Sequence, residues 1–447
     1  MKLLRQTAAG ALLLALLFGG VMQAAQQAKQ PTKKNPSKKS QTTPEQKPDP
    51  LEALLRQAQA AIEKKEYAAA IEPLQKYLAE RPEDANAHFH LGYVYSELAR
   101  WEEAKSEYGR AIAINPKLAE AHLNLGLVLM EKEPAAAAES FRKAAELMQG
   151  QARPLFLLGT ALERSGKIAE AIEQYQAAAA IDAKSFDIQF ALGRALLASG
   201  QVGEAEERFR DALLLQKESA SARLGLAESL LSQKKYEAAS GEYLKYLQLE
   251  PQDALVRRQR AAVLVELGKL DEALAELDKS DAGAEALPAS LKLRAEIYLQ
   301  QKKIDEAIAV LQKAIAIEPR NAQLHARLGR AYLEKKELAA ARRELRLALE
   351  IDAKWTDALR DLVAVYFLAE QYEAALQVIE LLAKRETLSA RSWFIRAICY
   401  DKLGRKPEAL AAYKEFMAGE HPRTEREEFQ ARGRIKALTR ELEQKKR

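Results

Sequence analysis

Residues 91–116 read LGYVYSELARWEEAKSEYGRAIAINP, a stretch in which small residues stand at fixed distances from aromatic ones. If Ala85 is counted as position 1, Gly92 is at position 8, Ala104 is at position 20 and Tyr108 is at position 24. A spacing that served local chemistry would occur once in the chain. A spacing that served helix packing would recur, so the rest of the sequence decides between the two interpretations.

The spacing recurs every 34 residues, with one step of 33. Position 20 is alanine in every unit, and position 8 is Gly or Ala except for Val363. Small residues allow two helices to approach closely, and a larger side chain there would overpack by roughly 1–3 kcal/mol. The pattern therefore predicts two packed helices in each unit. The units begin at Leu51, Ala85, Ala119, Ala152, Phe186, Ala220, Ala254, Pro288, Ala322, Thr356 and Ala390.

Composition and charge narrow the class of protein. The 447 residues include only 20 Gly and 15 Pro, with 6% aromatic residues, which is typical of a helix-rich chain. A single cysteine, Cys399, excludes an intramolecular disulfide. The net charge of +5 is carried by the two ends, because residues 51–422 are net negative. A negative body lacks the basic surface that phosphate-backbone binding requires, so no nucleic-acid partner is predicted.

The 34-residue period with its small, aromatic and proline positions resembles the tetratricopeptide repeat family, and the resemblance covers residues 51–423. It implies an all-α, right-handed superhelical solenoid of about eleven helix-turn-helix units. Residues 424–447 are predicted to form a C-terminal capping helix and charged tail. Thr424 with Glu427 resembles a capping box, and an apolar stripe is predicted to pack on the last repeat. The stripe consists of Phe429, Ile435, Leu438 and Leu442.

Some units depart from the family pattern. Arg260, Arg294 and Arg396 stand at position 7, which is usually apolar. The second helix of the seventh unit runs into KSDAGAEALP, so we expect this helix to be shorter or more loosely packed than the others.

The resemblance implies a concave groove, lined by first-helix positions 2, 5, 9, 12 and 13, that binds proteins or peptides. Position 5 is apolar through the sixth unit and then mainly basic, which predicts a groove in two parts. The alternative is that position-5 side chains pack into neighbouring repeats and that the charges only solvate the surface. The predicted groove residues are Phe89, Tyr93, Leu123, Leu127, Phe156, Phe190, Arg194, Arg258, Lys292, Arg330 and Arg360.

The sequence predicts a non-catalytic protein without a metal or cofactor. The repeats occupy the chain from Leu51 onward and leave no room for a catalytic domain. His88, His122 and His325 share position 4, where the family usually has a large packing residue, so they are interpreted as structural. No cluster of Cys, His and carboxylates has the spacing of metal ligands.

The N-terminal sequence suggests export. Residues 1–25 have a positive start, a short apolar run and small residues, which is typical of a signal peptide; an uncleaved membrane anchor facing the periplasm is the alternative. Residues 26–50 are predicted to be a disordered Lys/Pro-rich linker, which could contact a membrane or envelope polymer. Three functions follow: an exported scaffold for envelope assembly or export machinery, a soluble peptide-binding adaptor, and a surface protein attached to polymer or carbohydrate through the linker. The oligomeric state and the partner stay open.

Overall fold

The computed structural model describes residues 49–282, 287–419 and 425–444. These ranges contain 23 α-helices and no strand, and the first 22 helices form eleven antiparallel pairs. Each pair packs on the next one along the chain, which confirms the predicted all-α solenoid of about eleven helix-turn-helix units and a final helix.

The first six pairs are α1 (Pro50–Glu63) and α2 (Tyr67–Glu80), α3 (Ala85–Glu97) and α4 (Trp101–Ile114), α5 (Ala119–Leu129) and α6 (Pro134–Leu147), α7 (Ala152–Arg164) and α8 (Ile168–Ile181), α9 (Phe186–Ala198) and α10 (Val202–Leu215), α11 (Ala220–Ser232) and α12 (Tyr236–Leu249). The remaining helices are α13 (Ala254–Glu266) and α14 (Leu270–Ser280), α15 (Pro288–Gln300) and α16 (Ile304–Ile317), α17 (Ala322–Glu334) and α18 (Leu338–Ile351), α19 (Thr356–Leu368) and α20 (Tyr372–Ala383), α21 (Ala390–Lys402) and α22 (Lys406–Ala418), and α23 (Glu425–Gln444).

Polar residues before the first helices fix where several of them begin. Asp84 Oδ1 accepts hydrogen bonds from the backbone N–H groups of Asn86 (3.0 Å) and Ala87 (3.1 Å). Such a cap satisfies N–H groups that have no partner within the helix. At the N-terminus the helix begins at Pro50, one residue before the expected unit, because Asp49 caps it and proline suits the first turn.

The alanines of position 20 are all fully buried, from Ala70 to Ala409. The two helices of a unit also approach where position 8 faces position 24. A Cβ added at Gly126 would lie 2.6 Å from Cε1 of Phe141, whose ring is fully buried. Position 8 is therefore glycine in this unit because the aromatic ring occupies the space of a side chain. The same relation holds for Gly92 with Tyr108, Gly159 with Tyr175 and Gly193 with Phe209.

In six repeats the side chain at position 4 donates a hydrogen bond to the loop that precedes the first helix. His88 Nε2 donates to the carbonyl of Pro82 (3.0 Å), and His88 Nδ1 lies 2.6 Å from Glu107 Oε2. Both side chains are buried, so these bonds satisfy polar groups that have little access to water. The histidines are thus structural. The equivalent bonds to a carbonyl six residues earlier are made by His122, Gln189, Arg223, Arg257 and His325.

The seventh repeat contains a buried charge cluster. Its second helix, α14, has 11 residues where that of the sixth repeat has 14, as the sequence predicts. Arg260 is buried, and its Nη1 lies 2.8 Å from Oε1 of Glu276. The other oxygen of Glu276 lies 2.8 Å from Nη1 of Arg257. The apolar position 7 of the family is therefore replaced here by an ion pair.

The contact between the seventh and eighth repeats, which we call the 7/8 junction, is polar. Arg294 on α15 bonds to Asp278 (2.8 Å) and to Asp281 (3.0 Å) at the end of α14. The hydroxyl of Ser290 donates to the same Asp281 (2.8 Å). Large apolar clusters lie on either side, within residues 123–263 and within residues 291–399, and only a small cluster lies between them. The third position-7 arginine, Arg396, lies over the ring of Trp393.

The last helix packs on the eleventh repeat through Ala431 and Leu438, which are buried, and through the half-buried Ile435. Arg434 makes two bonds to Asp401 (2.6 and 2.7 Å), which hold the helix in place. Phe429 is 82% exposed, so its assignment to the apolar stripe is wrong. It stands six residues before Ile435, and six residues do not complete a whole number of helical turns. Thr424, the predicted cap, lies outside the described residues.

The predicted signal peptide and nearly all of the predicted linker also lie outside the described residues. Among the helices that the structure describes, none is both long and apolar enough to cross a membrane. Cys399 is buried in α21, and this burial raises the pKa of its thiol to about 12. A thiol with so high a pKa is a poor nucleophile at neutral pH.

Candidate functional site

All predicted groove residues lie on first helices, between α3 and α19. Positions 5 and 9 are four residues apart and so lie on the same face of each first helix, and successive first helices contact one another through much of the solenoid. We call the face formed by these positions the first-helix surface.

The apolar part of this surface consists of rings that rest on buried rings. The ring centroids of Phe89 and Tyr108 are 5.8 Å apart. The equivalent distance is 5.8 Å between Phe156 and Tyr175 and 6.0 Å in the next repeat, between Phe190 and Phe209. Each position-5 ring is half-buried, so part of it contacts the interior and part remains accessible. Phe190 also stacks on the ring of Phe186, with centroids 5.7 Å apart. Such rings are held in place before any ligand binds, which lowers the entropy lost on binding.

The other apolar residues contribute unequally. Leu123 is buried and presents little surface, whereas Leu127 is half-buried. Tyr93 is half-buried and meets the ring of Tyr67 edge-on at 6.0 Å. Burial raises the pKa of Tyr93, so its hydroxyl stays neutral in the physiological range. Among the predicted apolar residues, the accessible ones are therefore the three phenylalanines, Tyr93 and Leu127.

The basic side chains of the surface are paired within the chain. Arg194 lies 2.8 Å from Glu163, Lys292 lies 2.7 Å from Glu318, and Arg330 lies 3.0 Å from Asp361. Arg360 pairs with Glu386 and Asp357, and Arg258 donates to the hydroxyl of Ser280 (3.0 Å). Apart from Arg258, whose partner is an uncharged hydroxyl, these basic residues are thus compensated by carboxylates and do not form a row of free cations.

These counter-ions were not recognised in the sequence. Three pairs are separated by 31 residues: Glu163 with Arg194, Glu296 with Arg327, and Arg330 with Asp361. A search for opposite charges at that separation would have found these three pairs, but not Glu318 or Glu386, which stand 26 residues from Lys292 and Arg360. The residues that the structure describes contain no group of three or more His, Cys, Asp or Glu arranged to hold a metal ion.

Models of known families match most of the chain. One described as tetratricopeptide repeat matches residues 13–85, 190–254, 258–319 and 361–420, which together exceed half of the sequence. A second model with the same description matches residues 298–366, and one described as TPR repeat matches residues 97–132 and 164–200.

Solved structures of repeat proteins are also similar. YrrB, described as a TPR protein with an unusual peptide-binding site, is 22% identical; the match covers 41% of this chain and 95% of that one, with a TM-score of 0.39. PilF of Pseudomonas aeruginosa is 25% identical, with 48% and 99% covered and a TM-score of 0.39. The Cut9–Hcn1 hetero-tetramer of the APC/C is 14% identical, with 87% and 96% covered and a TM-score of 0.39. None of the curated proteins compared with the chain matches it.

Proposed function

Because the chain belongs to the tetratricopeptide repeat family, we propose that it is a non-catalytic scaffold that binds partner proteins or peptides on the first-helix surface. The observation that supports this most is the row of half-buried phenylalanines resting on buried rings in repeats 2, 4 and 5. Aromatic anchors of this kind dominate the binding energy of protein interfaces. We place the scaffold in the cell envelope, where it would serve an assembly or export machinery.

A triple variant tests the surface: Phe89→Ala, Phe156→Ala and Phe190→Ala. Alanine is compatible with the fold at position 5, because Ala326 occupies it in the ninth repeat. We expect peptides selected by wild-type protein from a random display library to bind this variant about 100-fold more weakly or worse, since three aromatic anchors are lost. Affinities would be measured by fluorescence anisotropy, after circular dichroism has shown equal helix content.

The matched control removes three partly exposed apolar side chains from second helices: Leu147→Ala, Ile181→Ala and Leu215→Ala. These side chains are 39%, 44% and 38% exposed. We expect their loss to change peptide affinity less than about threefold, as for residues outside an interface. If the control loses binding and the phenylalanine variant keeps it, the binding surface is on the second helices and our assignment is wrong.

A second candidate function is attachment to an envelope polymer or an anionic membrane through residues 26–50, which carry six lysines against two acidic residues. Cell fractionation of the full chain and of a chain lacking residues 26–50 separates the possibilities. Our proposal expects both proteins in the envelope fraction, because export depends on residues 1–25. Release of the shortened protein alone would favour polymer attachment, and cytoplasmic retention of the full chain would exclude export.

A further inference from the structure

Glu228, at position 9 of the sixth repeat, carries a carboxylate without an internal counter-ion. It lies on α11 in the first-helix surface and is half-buried. Burial alone raises the pKa of Glu228, and no cation or hydrogen-bond donor among the described residues lowers it. A desolvated carboxylate without a partner is unfavourable, so its presence on this surface requires an explanation.

The sequence explains why Glu228 has no counter-ion. Elsewhere on the surface, opposite charges 31 residues apart pair between neighbouring repeats. The residues 31 positions before and after Glu228 are Leu197 and Gln259, neither of which is charged. Arg258 is adjacent in sequence to Gln259, but its guanidinium donates to the hydroxyl of Ser280 (3.0 Å). The compensation seen along the rest of the surface therefore stops at Glu228.

A second polar group without a partner lies beside this carboxylate. Tyr243 is fully buried, and its hydroxyl has no hydrogen bond within the described residues. Burial, and then the charge of Glu228, raise the pKa of Tyr243 to about 12. In the fourth repeat the equivalent hydroxyl of Tyr175 lies 3.3 Å from the hydroxyl of Thr160, at position 9 like Glu228, and donates to Glu163 (2.9 Å) at position 12. Position 12 of the sixth repeat is Leu231, which offers no acceptor.

We propose that Glu228, beside the buried Tyr243, forms the recognition site for a lysine or arginine side chain of the bound peptide. This inference rests on the proposed function of the first-helix surface. An ammonium or guanidinium group has several N–H donors and can donate to both oxygens of the Glu228 carboxylate, whose charge the neutral, buried phenol of Tyr243 does not offset. Leu224 and Phe190, which are half-buried at position 5 of repeats 6 and 5, would contact apolar residues beside the basic one. The preferred ligand is thus a peptide that has a basic residue flanked by apolar ones.

The experiment compares full-length wild type, Glu228→Gln and the matched control Glu266→Gln, which changes an exposed acid at the end of a neighbouring first helix. Peptides selected by wild type from a random display library should be enriched in Lys or Arg beside apolar residues. For one such synthetic peptide, Glu228→Gln should weaken binding at least about tenfold, because a charge-assisted hydrogen bond is lost. Glu266→Gln should change binding less than about twofold.

The same peptide with its basic residue replaced by methionine completes a double-mutant cycle. We expect this change to weaken binding to wild type but to have no further effect on Glu228→Gln, because both changes remove one interaction. Additive effects, or selected peptides without basic residues, would overturn the inference and leave the groove intact. If the three-phenylalanine variant binds the selected peptides as wild type does, or if wild type selects none, the proposed function itself fails.

A measurement on the free protein provides an independent check. The folded-state pKa of Glu228 is raised, so the ionised carboxylate opposes folding above that pKa, whereas below about pH 4 it is protonated in both states. Tyr243 is neutral at these pH values, and Leu197 and Gln259, 31 positions before and after Glu228, carry no charge. Glu228→Gln should therefore slow amide exchange in α11 at pH 7 and have little effect at pH 4. Faster exchange at pH 7 would mean that the carboxylate has a stabilising internal partner, and would overturn the inference.

Discussion

Replacing Glu276 with alanine should lower the free energy of unfolding of the seventh repeat by about 3–5 kcal/mol, the range for a buried ion pair that loses one partner. Glu276 is 4% exposed and bonds to Arg260 and Arg257 at 2.8 Å each. Arg260 is 8% exposed, so its guanidinium would remain in a poorly hydrated site without a counter-ion. Because each repeat of a solenoid contacts only its neighbours, native-state hydrogen exchange of the α13 amides is the appropriate measurement.

The control removes both charges, as Glu276→Leu with Arg260→Leu. Leucine is the residue at position 7 in most other repeats, for example Leu226 and Leu328, which are buried. Arg257 keeps its hydrogen bond to the carbonyl of Pro251 (2.7 Å). We expect the double variant to regain most of the loss, since a buried ion pair can be exchanged for apolar packing at little net change. A double variant as unstable as Glu276→Ala would show that desolvation of Arg260 is not the cause.

Gly126→Val should lower the free energy of unfolding of the third repeat by about 1–3 kcal/mol, because the new side chain would overlap Phe141. Cβ alone would lie 2.6 Å from the ring, which is fully buried and cannot move into solvent. Urea unfolding combined with hydrogen exchange in α5 and α6 would measure the loss.

The tenth repeat supplies the matched control for this prediction. It has Val363 at position 8 and Ile379 at position 24, both buried. The double variant Gly126→Val with Phe141→Ile should therefore recover part of the lost stability, because valine and isoleucine fit together at these two positions in the tenth repeat. Gly109→Ala, which would meet no atom within 4 Å, should instead stabilise its helix by up to about 1 kcal/mol. If Gly126→Val is as well tolerated as Gly109→Ala, position 8 is not a site of close approach.

The fold was predictable because its main constraint is local and periodic. The alanines of position 20 recur at one spacing and all are buried, and that spacing alone indicates where two helices touch. The pairing of glycine at position 8 with an aromatic ring at position 24 was also present in the sequence of repeats 2 to 5, whereas Ala227 and Ala397 stand opposite Tyr243 and Tyr413. It becomes apparent only when the two positions are compared within each unit, as with Gly126 and Phe141. Phe429 was misassigned because apolar residues were grouped without checking their angle around the helix.

The candidate surface was less predictable because its electrostatics depend on contacts between repeats. Position and residue type identified Arg330 as a basic groove residue, but its pairing with Asp361 depends on how two successive first helices are placed. For the same reason Glu228 looked like any other acidic residue of a helical repeat. Glu228 is distinguished by the uncharged residues 31 positions before and after it, Leu197 and Gln259. This difference is informative only once the structure has shown that opposite charges 31 residues apart pair between repeats.

The 7/8 junction bears on how the molecule responds to stress. Neighbouring repeats stabilise each other through apolar contacts. At the 7/8 junction a small apolar cluster and the ion pairs of Arg294 connect the two larger apolar clusters on either side. We therefore expect the repeats before and after the 7/8 junction to unfold in separate steps rather than in one cooperative transition. A single melting temperature does not describe such a molecule, and its salt dependence should be concentrated at the link between the two units.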